Sequence, residues 1–229
     1  APNPAAMRDY SFAGDNELRE DGSNLSSVLA KLCKQEQMKQ SLLDFIRSLP
    51  EQDITDISFI STERSDVMVR LHESFGNKEQ KIDAPLLSDG TLRVLSVGAV
   101  LLSAPEKSLV VIEEVDNGIH PSRADFLVKQ IQNIVSRRGL QVLISSYNPA
   151  LLDAVPDTAL GDVLCCYRNP ENGSSRIVRL ADMKRFPELV AQGSLGQLMT
   201  SNRLEKFLED TTSEEKRKQA TLSWLEQLS

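Results

Sequence analysis

The chain predicts an α/β fold built on a mainly parallel sheet, with a small antiparallel part and a helical C-terminal tail. Three observations predict it. Residues 109–112 read Leu-Val-Val-Ile and residues 142–144 read Val-Leu-Ile, two continuous branched apolar runs. Such runs mark strands covered on both faces, as in parallel sheets. Between them, residues 121–137 carry a helical pattern that ends at Arg138-Gly139. Strand, helix and strand with short joints imply a right-handed parallel crossover.

The remaining elements follow in order. Residues 1–22 are polar, hold the turn signal Asp21-Gly22, and read as a loop or a cut end. Ser23 or Asn24 can cap a helix whose apolar side is Leu25, Val28, Leu29, Leu32, Leu42, Leu43 and Ile46, closed by Pro50. Ile54–Ile60 and Val67–His72 read as strands, followed by a polar turn at Phe75-Gly-Asn-Lys. A helix is expected from about Gly90 to Leu102, stopped by Ser103-Ala-Pro105. After the crossover come a short helix at Ala150–Val155 and a hairpin, Val163–Tyr167 with Arg176–Leu180, around Asn169-Pro-Glu-Asn-Gly173. Residues 186–229 read as helical and highly charged, with Leu204, Phe207, Leu208, Leu222, Trp224 and Leu225 as apolar points. The expected domain plan is a leading loop over 1–22, one domain over 23–200 and a charged helical tail over 201–229.

Composition narrows the class. The chain is 40% apolar and 26% charged, with only 5% aromatic residues, so its core rests on Leu, Val and Ile. A net charge of −7 argues against a wholly basic nucleic-acid-binding surface, although not against a local basic patch. Cys33, Cys165 and Cys166 have no metal-ligand spacing, and neither a disulfide framework nor a redox pair is expected. A reducing cytoplasm fits this cysteine usage. No apolar run is long enough to span a membrane.

Three segments carry chemistry. The first is Glu113-Glu114, directly after Leu-Val-Val-Ile. An acid pair at a strand end suits Mg²⁺ handling and activation of a water. Because side chains alternate along a strand, the two carboxylates are expected on opposite sides and in different jobs. Asp116 and Asn117 open a polar loop that ends at His120-Pro121. The second segment is Leu86-Leu-Ser-Asp-Gly-Thr-Leu-Arg-Val-Leu95. Ser88 is a helix N-cap, and Gly90 permits close backbone approach. The free N–H groups of such a helix start can receive a phosphate. The third is Val142-Leu-Ile-Ser-Ser-Tyr-Asn-Pro149, whose hydroxyls and amide fall at the carboxyl end of a strand, where open α/β sheets bind ligands. A plain capped helix, a solvated acid pair and an ordinary strand-to-helix turn are the alternatives when each segment is taken alone.

Taken together, these segments resemble the ABC-type ATPase heads of the RecF/SMC/OLD-like clan, in particular the stand-alone prokaryotic AAA family ATPases of the RecF and OLD-like sort. The resemblance covers about residues 20–200. Leu87-Ser88-Asp89-Gly90-Thr91-Leu92-Arg93 resembles the ABC signature motif, and Leu109–Glu114 resembles Walker B. Glu114-Val-Asp-Asn-Gly-Ile-His-Pro121 resembles the continuation of Walker B, with Val115 where the family usually has Pro. Ile144-Ser-Ser-Tyr-Asn-Pro-Ala-Leu-Leu-Asp153 is similar to the switch region, and Asp21-Gly-Ser-Asn-Leu25 to a further family segment. The resemblance implies a P-loop NTPase-like fold, ATP and Mg²⁺ as cofactors, and an ATP-dependent homodimer. It places Glu113 in the Mg²⁺ shell and Glu114 on the attacking water. Ser88, Gly90 and Thr91 would contact the γ-phosphate held by a second subunit. Asp116, Asn117 and His120 would lie on the loop facing that subunit, and Tyr147 would stand where the family has its switch His.

Two departures shape the functional expectation. No GxxxxGK[ST] phosphate loop occurs. The resemblance therefore implies that the Walker A region is supplied by sequence not present here and that this chain is the C-terminal part of a longer protein. Tyr147 can hydrogen-bond a phosphate but does not become cationic near neutral pH. The expectation is an ATP-binding and ATP-hydrolysing head acting in DNA repair or anti-phage defence, with DNA or an effector protein as partner. The alternative is a non-hydrolysing nucleotide-sensing or dimerisation module that regulates a toxin or nuclease. Hydrolysis is expected of the full-length protein and not of this chain alone.

Overall fold

The computed structural model describes residues 2–47, 53–76, 78–117, 119–170, 172–183 and 185–209. They divide into two compact units, Ala1–Ala154 and Val155–Ser229. The first begins with α1 (Pro4–Met7), β1 (Ser11–Phe12), α2 (Leu25–Leu32), α3 (Glu36–Ile46), β2 (Ile54–Ser61), β3 (Asp66–Phe75) and β4 (Lys78–Asp83). It continues with α4 (Asp89–Ser103), β5 (Leu109–Ile112), α5 (Ala124–Arg138), β6 (Gln141–Ile144) and α6 (Pro149–Asp153).

β5 and β6 run parallel, in register from Leu109↔Gln141 to Ile112↔Ile144, with α5 as the crossover. This is the α/β unit read from the sequence. The expectation that its strands are covered on both faces holds for one face only. Val110 and Ile112 are buried, whereas Leu109, Val111 and Leu143 are 61%, 59% and 50% exposed. The antiparallel part is larger than expected. β3 pairs antiparallel with β1, β2 and β4. β4 reads Lys-Glu-Gln-Lys-Ile-Asp and lies mostly exposed. Its backbone pairing to β3 needs no apolar alternation, so the sequence pattern gave no sign of it.

The core lies among α2, α3, α4 and the sheets. Leu25, Leu29, Leu42, Phe45, Ile46, Leu92, Leu95 and Leu101 are fully buried within one cluster. Gly98 sets the approach of α4 to α3. A Cβ at Gly98 would lie 3.0 Å from Leu42 Cδ1 and 3.1 Å from Phe45 Cδ1. The expected single helix from residue 24 to 46 is two helices, broken at 33–35. Asn24 stands at the start of α2 but makes no side-chain cap. Its buried amide instead accepts from Arg19 N at 2.9 Å and donates to Asp15 Oδ2 at 2.8 Å and Glu17 O at 2.9 Å, fastening the preceding loop. Gly22 is left-handed at φ +74°, and a Cβ there would meet Met7 Cε at 2.6 Å. Both constraints explain a glycine at this turn.

Glu73 on β3 is 2% exposed, and its Oε1 has no hydrogen-bond partner among the described residues. Burial pushes its carboxyl above the usual carboxylate range. Ionisation therefore costs stability as pH rises through this raised value, and the folded state is favoured where Glu73 is protonated. Glu73→Gln should raise the thermal midpoint at pH 8 by about 2–4 °C. The gain should shrink as pH falls and vanish below pH ~3, where the carboxyl is neutral in both states. A pH series of melting curves checks this.

In the second unit, β7 (Leu164–Arg168) and β8 (Ser175–Arg179) form the expected hairpin, in register from Leu164↔Arg179 to Arg168↔Ser175. Asn169 N donates to Ser174 O and Gly173 N to Asn169 O, both at 2.8 Å, closing its loop. α7 (Phe186–Val190), α8 (Leu195–Thr200) and α9 (Arg203–Glu209) follow. Pro50 and the expected apolar points Leu222, Trp224 and Leu225 lie outside the described residues. Burial pushes Cys33 up to about 12 and Cys165 up to about 11, so neither is a thiolate at neutral pH. No described helix is long and apolar enough to cross a membrane.

Candidate active site

β5 delivers the acid pair. Glu113 continues the strand's alternation and is exposed, as Val111 is. Glu114 then adopts a left-handed backbone, φ +47°. For a residue other than glycine this conformation costs on the order of 1 kcal/mol. Its effect is to pass the core position to Val115, which is 2% exposed, and to leave Glu114 exposed. The alternation from which opposite faces were expected stops at Glu113, and both carboxylates reach solvent at one strand end.

The turn is fastened to the end of β6. Ser145 N donates to Ile112 O at 3.0 Å and Val115 N donates to Ser145 O at 3.3 Å. Glu114 N donates to Ser145 Oγ at 3.1 Å. Within the loop, Asn117 N donates to Glu114 O at 3.0 Å, and Asn117 Nδ2 to Glu114 Oε2 at 3.2 Å. Asp116 is half-buried, and its carbonyl accepts from Ile119 N at 3.0 Å. His120 caps the 3₁₀ turn Pro121–Arg123: Ser122 N donates to His120 Nδ1 at 3.3 Å.

The segment after β6 presents Tyr147, 78% exposed. Asn148 N donates to Ser146 Oγ, and Asn148 Oδ1 caps α6 by accepting from Ala150 N, both at 2.9 Å. Glu113, Glu114, Asp116, Asn117 and His120 thus lie on the segment that leaves the carboxyl end of β5, and Tyr147 on the segment that leaves the carboxyl end of its parallel partner β6. Ligands in open α/β sheets bind at such ends.

Ser88, Gly90 and Thr91 form the start of α4. Thr91 N donates to Ser88 Oγ at 3.1 Å, and the two hydroxyls are 2.8 Å apart. Gly90 and Thr91 are buried, and Ser88 is exposed. Arg8 holds this start: its Nη2 donates to Leu87 O at 2.9 Å and pairs with Asp89 Oδ1 at 2.6 Å. Glu113 does not meet the start of α4. It lines a depression of about 350 Å³ with Arg19, Glu20 and Val111, walled by Ser96, Val97 and Val100 of the same helix. Ser96 lies about 12 Å along the helix axis from Ser88, at ~1.5 Å per residue. The part of α4 that walls this depression thus lies about two turns beyond the helix start.

Mg²⁺ is usually held by one or two carboxylates together with substrate phosphates and waters. Glu113 is an exposed carboxylate of that kind. Among the described residues no group of three His, Cys, Asp or Glu side chains gathers into a complete cage. Glu113 is by itself one donor of the type that holds such a metal at a strand end.

Sequence reasoning missed Arg8 and the role of Ser145. Arg8 stands 79 positions from Leu87, and no local pattern links the two. Ser145 could have been marked by register, since it follows directly on the Ile112↔Ile144 pair.

A family described as "AAA domain, putative AbiEii toxin, Type IV TA system" matches residues 8–153, well over half of the chain. No curated relative matches. Among solved structures, the chain is similar to an SMC ATPase from work on ATP-driven dimerization and DNA-stimulated activation, at TM-score 0.48 and 10% identity, covering 72% of this chain and 96% of that one. It is similar to an SMC head bound to the C-winged helix domain of ScpA, at TM-score 0.48 and 10% identity, covering 76% and 52%. A third is the Smc head domain with a coiled coil and joint from Pyrococcus yayanosii, at TM-score 0.47 and 12% identity, covering 69% and 29%. The chain thus spans about half of the second structure and under a third of the third.

Proposed function

The chain belongs to this AAA-domain family, and from that membership we propose that it is the water-activating and partner-facing part of an ATP-hydrolysing head. The observation that carries this reading is the turn at Glu114, which exposes two adjacent carboxylates at the end of a parallel strand beside β6. Phosphoryl transfer needs little covalent chemistry from the protein. It needs positioned phosphates, a metal and an oriented water.

The residues divide that work. Glu113 would hold Mg²⁺, which supplies charge neutralisation between the phosphates when bound. Glu114 accepts a hydrogen bond from the attacking water and draws on its proton. Asn117 donates to Glu114 Oε2 and keeps that carboxylate in place. Ser88, Gly90 and Thr91 offer the start of α4 to the γ-phosphate, through its dipole and the exposed Ser88 hydroxyl, while Thr91 N–H is held by Ser88 Oγ. Their separation from Glu113 along α4 supports a split site, in which this start serves the nucleotide of a second copy. Asp116, Asn117 and His120 face that copy, and Tyr147 donates its phenol to a phosphate. The phosphate loop comes from outside these residues, and ATP drives the homodimer together. DNA repair or anti-phage defence, with DNA or an effector protein as partner, is the role this reading assigns.

The test is ATP turnover with and without a phosphate-loop segment. The 229-residue chain alone should hydrolyse no ATP above background, whereas the head completed by that segment should do so in a Glu114-dependent way. Glu114-dependent turnover by the chain alone would overturn the reading that the phosphate loop comes from outside these residues.

A further inference from the structure

Ser145 makes three backbone-directed hydrogen bonds to the acid turn, and the mechanism above does not use them. Its N–H donates to Ile112 O at 3.0 Å, its Oγ accepts from Glu114 N at 3.1 Å, and its carbonyl accepts from Val115 N at 3.3 Å. These bonds bracket Glu114, a non-glycine residue at φ +47°. A left-handed residue of this kind persists only where its surroundings over-determine it. Two of the three bonds are backbone to backbone and would survive replacement of the side chain. The third depends on the hydroxyl alone and meets the N–H of the strained residue itself.

We propose that Ser145 is the positioning residue for Glu114, its hydroxyl holding the left-handed turn that presents the carboxylate to water. The inference rests on the reading of Glu114 as the group that polarises the attacking water. It also couples two segments. Ser145 is two residues from the exposed Tyr147 and belongs to the same strand end. The segment that follows β6 thus holds the turn that follows β5.

The 229-residue chain gives a readout that needs no activity. In Ser145→Ala, amide hydrogen exchange at Glu114 should accelerate at least tenfold, while Ser145 N–H, which donates to Ile112 O, stays protected. Ser145→Thr, which keeps the hydroxyl, should restore protection at Glu114. Unchanged exchange at Glu114 in Ser145→Ala overturns the proposal. In the completed head, Ser145→Ala should lower kcat about tenfold with KM unchanged, and Ser145→Thr should recover most of it. Added to Glu114→Gln, Ser145→Ala should cost nothing further, because it acts through that carboxylate. A multiplicative loss in the double variant overturns the positioning role. If Glu114→Gln itself leaves turnover unchanged, the reading of Glu114 fails, and the exchange data still decide whether Ser145 holds the turn.

Discussion

Glu114→Gln in the completed head should lower ATP turnover by about 10²–10⁴-fold, the range that general acid–base groups supply. ATP-driven dimerisation should persist. The amide has nearly the carboxylate's shape, and Asn117 can still reach its oxygen, so the turn keeps its geometry. What is lost is the negative charge that draws the proton from water. Glu113→Gln should act differently, weakening Mg²⁺-dependent nucleotide binding as well as turnover. Steady-state rates and sedimentation with ATP distinguish the two. Turnover by Glu114→Gln within a few-fold of the parent would remove Glu114 from the chemistry.

Phe45→Ala should be the most damaging single truncation of the core, at about 3–5 kcal/mol. Phe45 is 0% exposed and lies where Gly98 lets α4 approach α3. That loss is a large share of the roughly 5–15 kcal/mol that typically holds a domain. The thermal midpoint should fall by about 10 °C. Gly98→Ala provides the partner for a cycle. In the parent, its Cβ would crowd Leu42 and Phe45 at 3.0 and 3.1 Å. In Phe45→Ala the same methyl enters vacated space. The double variant should therefore be more stable than the two single changes predict by addition. Strict additivity would show that Gly98 and Phe45 do not set the spacing of the two helices.

The legibility of the chain followed the physics of each element. α5 was readable because burial imposes an apolar pattern, Leu109–Ile112 because branched residues favour strands although only Val110 and Ile112 are buried, and Ser88 because a cap demands a short polar side chain. β4 was not, since an exposed strand held by backbone pairing carries no apolar signature. Asn24 misled in a specific way. Cap and loop fastener need the same side chain, and only the fold decides between them. At the site, Glu113, Glu114, Asp116, Asn117, His120 and Tyr147 were legible as a set because they follow two strands. The left-handed turn was not, because strand alternation predicts the opposite facing for Glu114. Nothing in the local sequence announces that Val115 takes the core. Long-range contacts such as Arg8 to Leu87 leave no trace in any sequence window.

The half-covered parallel pair has a consequence for the chain's behaviour in solution. Among the described residues, β5 and β6 pair only with each other, so each keeps one row of unpaired N–H and C=O groups. Beside those rows stand the exposed side chains of Leu109, Val111 and Leu143. Exposed strand edges with apolar flanks are templates for strand addition, which proteins ordinarily blunt with charge, proline or a covering element. β5 holds neither charge nor proline within Leu109–Ile112. Edge-to-edge association of the chain at high concentration would begin at this pair. Dilute conditions, or a charged substitution at Val111, are the direct means of keeping it dispersed.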